Sequence, residues 1–136
     1  MKPKPLFLVV EDNADHRFLL EWSYQKSNQS CNILFAEDGL KAMEILENSP
    51  VKPALMLLDY ELPYLTGLEV MSRLKGSPQW KHLPIVMMSA NDDPKLVNQA
   101  YIAGANSFLG KPQNYDDFKK IWSLVFEFWS LTAKLP

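Results

Sequence analysis

Hydrophobic residues occur along this chain in short uninterrupted runs that are separated by longer amphipathic stretches. Three runs are continuously apolar: LFLVV (6–10), ALMLL (54–58) and IVMM (85–88). A strand with one solvated face would alternate polar and apolar residues, so these runs predict strands covered on both faces, as in a parallel sheet. Two weaker runs, NILFA (32–36) and SFLG (107–110), predict two further strands.

The stretches between the strands have helical periodicity and helix-capping residues. Thr66 and Glu69 have the spacing of a capping box, and Asp93 followed by Pro94 is typical of a helix start. Asn114 can cap the last helix. Five strand–helix units with short connections predict an α/β fold, a doubly wound sandwich whose five-stranded parallel sheet has the flavodoxin-like order 2-1-3-4-5.

The composition indicates an ordinary globular domain. The chain has 136 residues, 47% of them hydrophobic, which predicts one domain over 1–136 with no room for an output domain after the last helix. A net charge of −2 gives no electrostatic basis for binding nucleic acid or an anionic membrane. The single cysteine, Cys31, excludes an internal disulfide. The apolar run at 6–10 is too short for a signal peptide or a membrane span, so we expect a reduced, cytoplasmic protein.

Polar side chains follow four of the predicted strands at their carboxyl ends. The residues in these positions are Glu11 and Asp12 after the first strand, Asp59 after the third, Ser89 after the fourth and Lys111 after the fifth. In an open parallel sheet of this order, ligands bind outside the carboxyl ends of the strands, near the switch point between strands 1 and 3. We therefore predict that three carboxylates, a hydroxyl and an ammonium converge on one edge of the sheet.

This set of groups suits a hard cation and a phosphoryl group. Neighbouring carboxylates repel one another unless a positive charge joins them, and an oxygen-only ligand set favours Mg²⁺. We predict that no histidine reaches this edge, with His16 and His82 as ordinary exposed residues, which argues against zinc. A lysine and a hydroxyl could hold the remaining phosphoryl oxygens, and Asp59 could then act as the nucleophile.

Five motifs in this order and spacing resemble the response-regulator receiver domains of two-component signalling. They are VVEDN, AEDGLKAMEIL, LLDYELPYLTGLEV, PIVMMSAN and FLGKP, and the resemblance covers essentially the whole chain. It implies that Asp59 is the phosphoacceptor and that Lys111 contacts the phosphoryl group. It also implies that Ser89 is the switch hydroxyl and that Phe108 occupies the aromatic switch position.

The resemblance also implies a set of metal ligands. Mg²⁺ would be held by Glu11, Asp12, Asp59 and the backbone carbonyl of Glu61, with Asp12 the more direct ligand of the acidic pair. Glu11 departs from the aspartate that is commoner in the family, and its longer arm could reach the ion through water. The family usually has a cis peptide before the proline of FLGKP, so a cis Lys111–Pro112 bond is expected.

These features predict a stand-alone response regulator that accepts a phosphoryl group on Asp59 from a histidine kinase and signals through a switched protein-binding surface. We expect no enzymatic activity beyond its own phosphotransfer and dephosphorylation. The ending FWSLTAKLP resembles the phytochrome-associated receivers of cyanobacteria, which are often dimeric, so a bacterial phytochrome is the expected type of kinase. Two alternatives remain: a phosphorylation-independent interaction module on the same fold, and a Mg²⁺-dependent phosphohydrolase. The second is disfavoured because Asp59-Tyr60-Glu61 is not Asp-x-Asp and no cap insertion is present.

The last predicted helix carries an unusually wide apolar stripe. Its members span roughly 160° at about 100° per residue, whereas a helix on one sheet face needs only somewhat more than about 100°. They are Phe118, Ile121, Trp122, Val125, Phe126, Phe128 and Trp129. The width predicts a homodimer contact through this helix, with Phe126 and Phe128 at the two projecting edges. A wide core stripe around a small sheet is the alternative.

Overall fold

The computed structural model describes residues 3–27 and 30–136, and it confirms the predicted doubly wound α/β architecture. The five strands pair in parallel in the order β2-β1-β3-β4-β5. They are β1 (Leu6–Val10), β2 (Asn32–Ala36), β3 (Leu55–Asp59), β4 (Ile85–Ser89) and β5 (Ser107–Gly110). β1 and β3 are therefore neighbours at the centre of the sheet, and the chain reverses its direction of winding between them.

Among the described residues, five helices connect and follow the strands, and the last three of them begin where the capping residues predict. They are α1 (Ala14–Lys26), α2 (Gly39–Asn48), α3 (Gly67–Lys75), α4 (Pro94–Ala103) and α5 (Tyr115–Glu127), and a π-helical turn (Phe128–Thr132) continues α5. Thr66 and Glu69 form the reciprocal capping box of α3, and the side chains of Asp93 and Asn114 cap α4 and α5. Within the described part of the chain, no helix has the length and apolar character that a membrane span requires.

The hydrophobic core consists of two clusters, one on each face of the sheet. One cluster lies under α2, α3 and α4, and the other lies under α1 and α5. Alternate strand residues feed the two clusters, so that Leu8 belongs to the first and Phe7 to the second. Because both faces are covered, all five positions of β3 are buried, which explains the apolar run over its first four residues, before Asp59. Cys31 lies in the second cluster, and burial raises its pKa to about 11.

One edge of the α5 stripe differs from its prediction. Phe126 is 1% exposed and does not project, because α5 packs against α1 as well as the sheet. Its ring lies 6.0 Å from that of Tyr24 on α1 and 6.4 Å from that of Trp122. Phe128 follows the change to π-helical geometry and is 50% exposed. The packing of α5 against both α1 and the sheet therefore accounts for much of the width of the apolar stripe. Phe128 remains on the exposed side of that stripe.

Candidate functional site

Two acidic side chains are buried side by side at the carboxyl ends of the central strands. Val10 is in register with Leu58, so Glu11 and Asp59 follow directly at the same level of the sheet. Their exposed fractions are 0% and 4%. The Glu11 backbone N–H donates to the Ala36 carbonyl at 3.0 Å, which ties this position to β2. The sheet thus fixes both carboxylates in a place where water can solvate them poorly.

A buried ammonium lies between these two carboxylates. Lys111 donates to Asp59 Oδ2 at 3.1 Å and makes a short hydrogen bond to Glu11 Oε1. Its side chain is 5% exposed. Its backbone N–H donates to the Ser89 carbonyl at 2.8 Å, so the end of β5 is held beside β4. The three groups carry one net negative charge when ionised, so the lysine compensates only one of the two carboxylates.

The expected cis bond after Lys111 is wrong: the Lys111–Pro112 peptide is trans. A tertiary amide reduces the preference for trans to about 0.5–1 kcal/mol but does not reverse it. The trans bond is compatible with both the backbone contact of Lys111 to β4 and its side-chain contacts to the two acids.

Three carboxylates at this edge could hold a metal ion. One oxygen from each of Glu11, Asp12 and Asp59 lies within 4.8 Å of the others, and Asp12 is exposed. An open cavity of about 530 Å³ leads to them. Its walls include Asp15, His16, Glu61 and Ala90. Carboxylate oxygens beside an open cavity fit a hard divalent cation that keeps part of its hydration shell.

The environment of Asp59 disfavours its ionised form. Burial, followed by the hydrogen bond and negative charge of Glu11, raises the pKa of Asp59 to about 7, although Lys111 acts in the opposite direction. A protonated carboxyl is a poor nucleophile, so the lysine alone leaves this group only partly ionised near neutrality. Further positive charge at the carboxylate cluster would favour the ionised form.

Ser89 and Glu61 form a second polar contact in the cavity. The buried Ser89 hydroxyl donates to Glu61 Oε1 at 3.0 Å and accepts from the Asn91 N–H at 3.0 Å. The Glu61 N–H lies 3.4 Å from Asp59 Oδ1. Sequence reasoning gave Glu61 a possible role through its backbone carbonyl, but it did not predict that the carboxylate engages Ser89.

Phe108 lies on β5, three residues before Lys111. It is partly buried and packs against the core cluster under α2, α3 and α4. Its backbone N–H donates to the Tyr101 hydroxyl of α4 at 3.1 Å. The strand that directly precedes Lys111 therefore also contacts α4.

His16 reaches the site, contrary to the prediction that no histidine would. Its Nδ1 lies 3.1 Å from Lys111 Nζ and 3.4 Å from Glu11 Oε1. Burial and the neighbouring Lys111 charge lower the pKa of His16. The missed signal is positional: α1 begins at the same edge of the sheet, so a side chain in its first turn can face the strand ends. His82 is not among the residues that line this cavity.

Comparison with known proteins agrees with this architecture. The model of the response regulator receiver domain matches residues 7–122. Response regulator Rcp1 of Synechocystis sp. (strain ATCC 27184 / PCC 6803 / Kazusa) is 34% identical over 140 residues, covering 98% of this chain and 94% of that protein.

Two solved structures resemble the chain over nearly its full length. The Mn²⁺-bound form of Rcp1 has a TM-score of 0.91 and 33% identity, covering 98% of this chain and 99% of that one. The phosphorylated cyanobacterial phytochrome response regulator RcpA has a TM-score of 0.92 and 28% identity, with the same coverage. The chain therefore belongs to the response regulator receiver domain family.

Proposed function

We propose that Asp59 accepts a phosphoryl group from the phosphohistidine of a histidine kinase. The observation that carries this proposal is a buried carboxylate, at the base of an open cavity, with a buried ammonium 3.1 Å from one of its oxygens. In the reaction a carboxylate oxygen bonds to phosphorus and the P–N bond breaks. The electron pair of that bond stays on the histidine nitrogen. The family's signalling by phosphorylation and the phosphorylated form of RcpA support this assignment.

Lys111 and Ser89 are the groups that would neutralise and orient the transferred phosphoryl group. Such a group spreads its negative charge over three oxygens, so that positioning and charge compensation supply most of the catalysis. Lys111 is already directed at Asp59. Ser89 can donate to a phosphoryl oxygen only after its hydroxyl leaves Glu61, since a hydroxyl has a single hydrogen to give.

Mg²⁺ is the proposed cofactor. Glu11, Asp12 and Asp59 would hold it with the backbone carbonyl of Glu61, and the bound ion would supply positive charge that stabilises the transferred phosphoryl group. Rcp1 binds Mn²⁺ in one of its structures, which supports a divalent ion at this kind of site. The preference for Mg²⁺ rests on the oxygen-only ligand set and the open cavity.

The output would be protein binding through a surface that changes on phosphorylation. Phe108 and Ser89 lie on neighbouring strands, so a movement of Ser89 toward a phosphoryl group would alter the packing of Phe108 beside α4. The name of RcpA supports a phytochrome as the type of kinase.

We also propose a cytoplasmic location and a homodimer. Leu124, Phe128 and Leu131 are 65%, 50% and 60% exposed at the end of α5 and beyond it, and they form the proposed contact.

Incubation with acetyl phosphate and Mg²⁺, followed by intact-mass analysis, tests the phosphoacceptor. We expect one hydroxylamine-sensitive phosphoryl group on the wild type and none on Asp59→Asn. Asp116→Asn is the matched control, because Asp116 is 86% exposed on α5, away from the carboxylate cluster. Full labelling of Asp59→Asn at Ser89 would refute the assignment. An unlabelled wild type would favour the phosphorylation-independent module, and multiple turnover of a phosphomonoester would favour the phosphohydrolase.

A further inference from the structure

We propose that His16 is a positioning residue for Lys111, whose ammonium it holds in place through its Nδ1 atom. This inference rests on the proposed phosphotransfer to Asp59. The polar contacts of the His16 ring are with Lys111 Nζ at 3.1 Å and Glu11 Oε1 at 3.4 Å, and not with Asp59. It acts on the reaction through the lysine.

The ammonium group has three hydrogens, and three acceptors surround it. Two are carboxyl oxygens, Glu11 Oε1 and Asp59 Oδ2, and the third is the Nδ1 atom of His16. An ammonium has no lone pair, so it can only donate. Nδ1 must therefore be the unprotonated nitrogen of a neutral ring, and Nε2 carries the hydrogen. The three bonds together leave the lysine tip no free rotation about its last bond.

His16 is itself held in place, through its ring and through its backbone. Its centroid lies 5.2 Å from that of Phe118 on α5, at an interplanar angle of 32°. Its backbone N–H donates to the Asn13 side chain at 3.1 Å, which fixes the first turn of α1. The lysine is thus anchored to both helices that cover this face of the sheet.

The three acceptors differ in the strength of the hydrogen bond that each makes to Lys111. The difference indicates which of them an incoming phosphoryl oxygen would replace. Hydrogen bonds to charged acceptors are the stronger ones, so the neutral imidazole is the weakest of the three partners of Lys111. A phosphoryl oxygen arriving at Asp59 carries negative charge and can replace it. His16 would hold the ammonium aligned before transfer and yield it to the phosphoryl group afterwards, while Glu11 keeps its own contact.

Two substitutions separate positioning from simple packing. His16→Asn retains an acceptor oxygen at the place of Nδ1 but removes the ring that packs on Phe118. His16→Leu retains apolar bulk against Phe118 but removes the acceptor. If His16 positions Lys111, the rate constant of phosphorylation by acetyl phosphate at saturating Mg²⁺ falls about 3- to 10-fold in His16→Leu and is restored toward the wild-type value in His16→Asn.

A merely structural role reverses that order, with His16→Leu near wild type and His16→Asn slower, and this result would overturn the proposal. Nitrogen-15 chemical shifts of the His16 ring provide an independent measurement: we expect an Nε2–H tautomer whose Nδ1 shift changes in Lys111→Met. A protonated Nδ1 would also overturn it. A wild type that no donor labels would refute the phosphoacceptor function instead, whereas labelled wild type with unimpaired His16→Leu would refute only the role of His16.

Discussion

The carboxyl edge of the sheet and the end of α5 depart from the usual distribution of residues in opposite ways. The sheet edge buries Glu11, Asp59 and Lys111, whereas the end of α5 exposes Leu124 and Phe128. Buried charges and exposed apolar groups are both less favourable for stability than the reverse arrangement. The first is compensated inside the chain by paired charges. The second is covered only in part inside the chain, where the Phe128 ring lies 5.2 Å from that of Trp129, so it leaves apolar surface available to the proposed contact between chains.

Removal of the metal should produce the largest effect at the sheet edge. We expect EDTA to slow phosphorylation by acetyl phosphate about a thousandfold, since a bound ion can supply several kcal/mol of charge stabilisation. Asp12→Ala should weaken Mg²⁺ binding more than Glu11→Ala, because Glu11 is already paired with Lys111 while Asp12 faces solvent. Asp15→Ala, which lines the same cavity outside the acidic cluster, is the control for titration calorimetry. Undiminished labelling in EDTA would exclude the metal-dependent reaction.

Lys111→Met should show how strongly the buried charges depend on one another. The substitution leaves Glu11 and Asp59 buried without their cation, so we expect the free energy of unfolding at pH 7.5 to fall by about 3 kcal/mol. Lys41→Met removes a surface lysine whose Nζ lies 3.7 Å from Glu44, and such pairs contribute little. Urea unfolding of both variants compares the two environments. Equal losses would mean that the buried lysine is not an important counterion.

Phe128→Glu tests whether the exposed apolar end of α5 is a contact between chains. We expect it to weaken self-association about tenfold or more, which corresponds to about 1.4 kcal/mol. Leu40→Glu is the matched control, because Leu40 on α2 is 51% exposed and Phe128 is 50% exposed. Sedimentation velocity with and without acetyl phosphate measures the effect. If the wild type is monomeric at high micromolar concentration in both conditions, the homodimer proposal is wrong. Phe126→Glu is unsuitable, since it would place a charge in the core.

Asp59→Asn should have a smaller effect on stability, opposite in sign to that of Lys111→Met. Asp59 has a folded-state pKa of about 7, above its ordinary value of 3.8, so the folded state takes up a proton between these values. The stabilisation linked to this proton is complete at low pH and is lost as the pH rises through about 7. We therefore expect Asp59→Asn to be about 1 kcal/mol more stable than the wild type at pH 8 without Mg²⁺, and less so at pH 5. A pH-independent difference in thermal unfolding would contradict this.

The sequence predicted the sheet edge better than the helix face for a physical reason. Parallel strand order alone determines where Glu11, Asp59, Ser89 and Lys111 lie, so their convergence could be predicted before any side-chain contact was known. The position of each residue around α5 was predicted at about 100° per residue, and this procedure contains no information about the packing of α1. For that reason Phe126 was predicted to project, although it is buried. His16 was missed because its approach to Lys111 depends on the start of α1 and not on a strand end.

Peptide geometry and local competition between side chains were also beyond a reading of the sequence. The trans bond after Lys111 could not be inferred from the presence of proline, which permits either isomer. The Ser89–Glu61 contact depends on the path of the loop after β3. Both features are set by the local positions of individual atoms. The sequence pattern indicates only which strands and helices are present and the order in which the strands pair.

The contact between Glu11 and Lys111 joins residues one hundred positions apart, and this separation has a consequence for folding. Every strand pairing in this sheet needs a crossover, and chains dominated by such distant pairings fold comparatively slowly. A conformation in which β5 has not docked would leave Glu11 and Asp59 without the Lys111 ammonium. Under the function proposed above, such a chain would be an incomplete phosphoacceptor. Phosphorylation would then be expected only of molecules in which the two ends of the chain have come together.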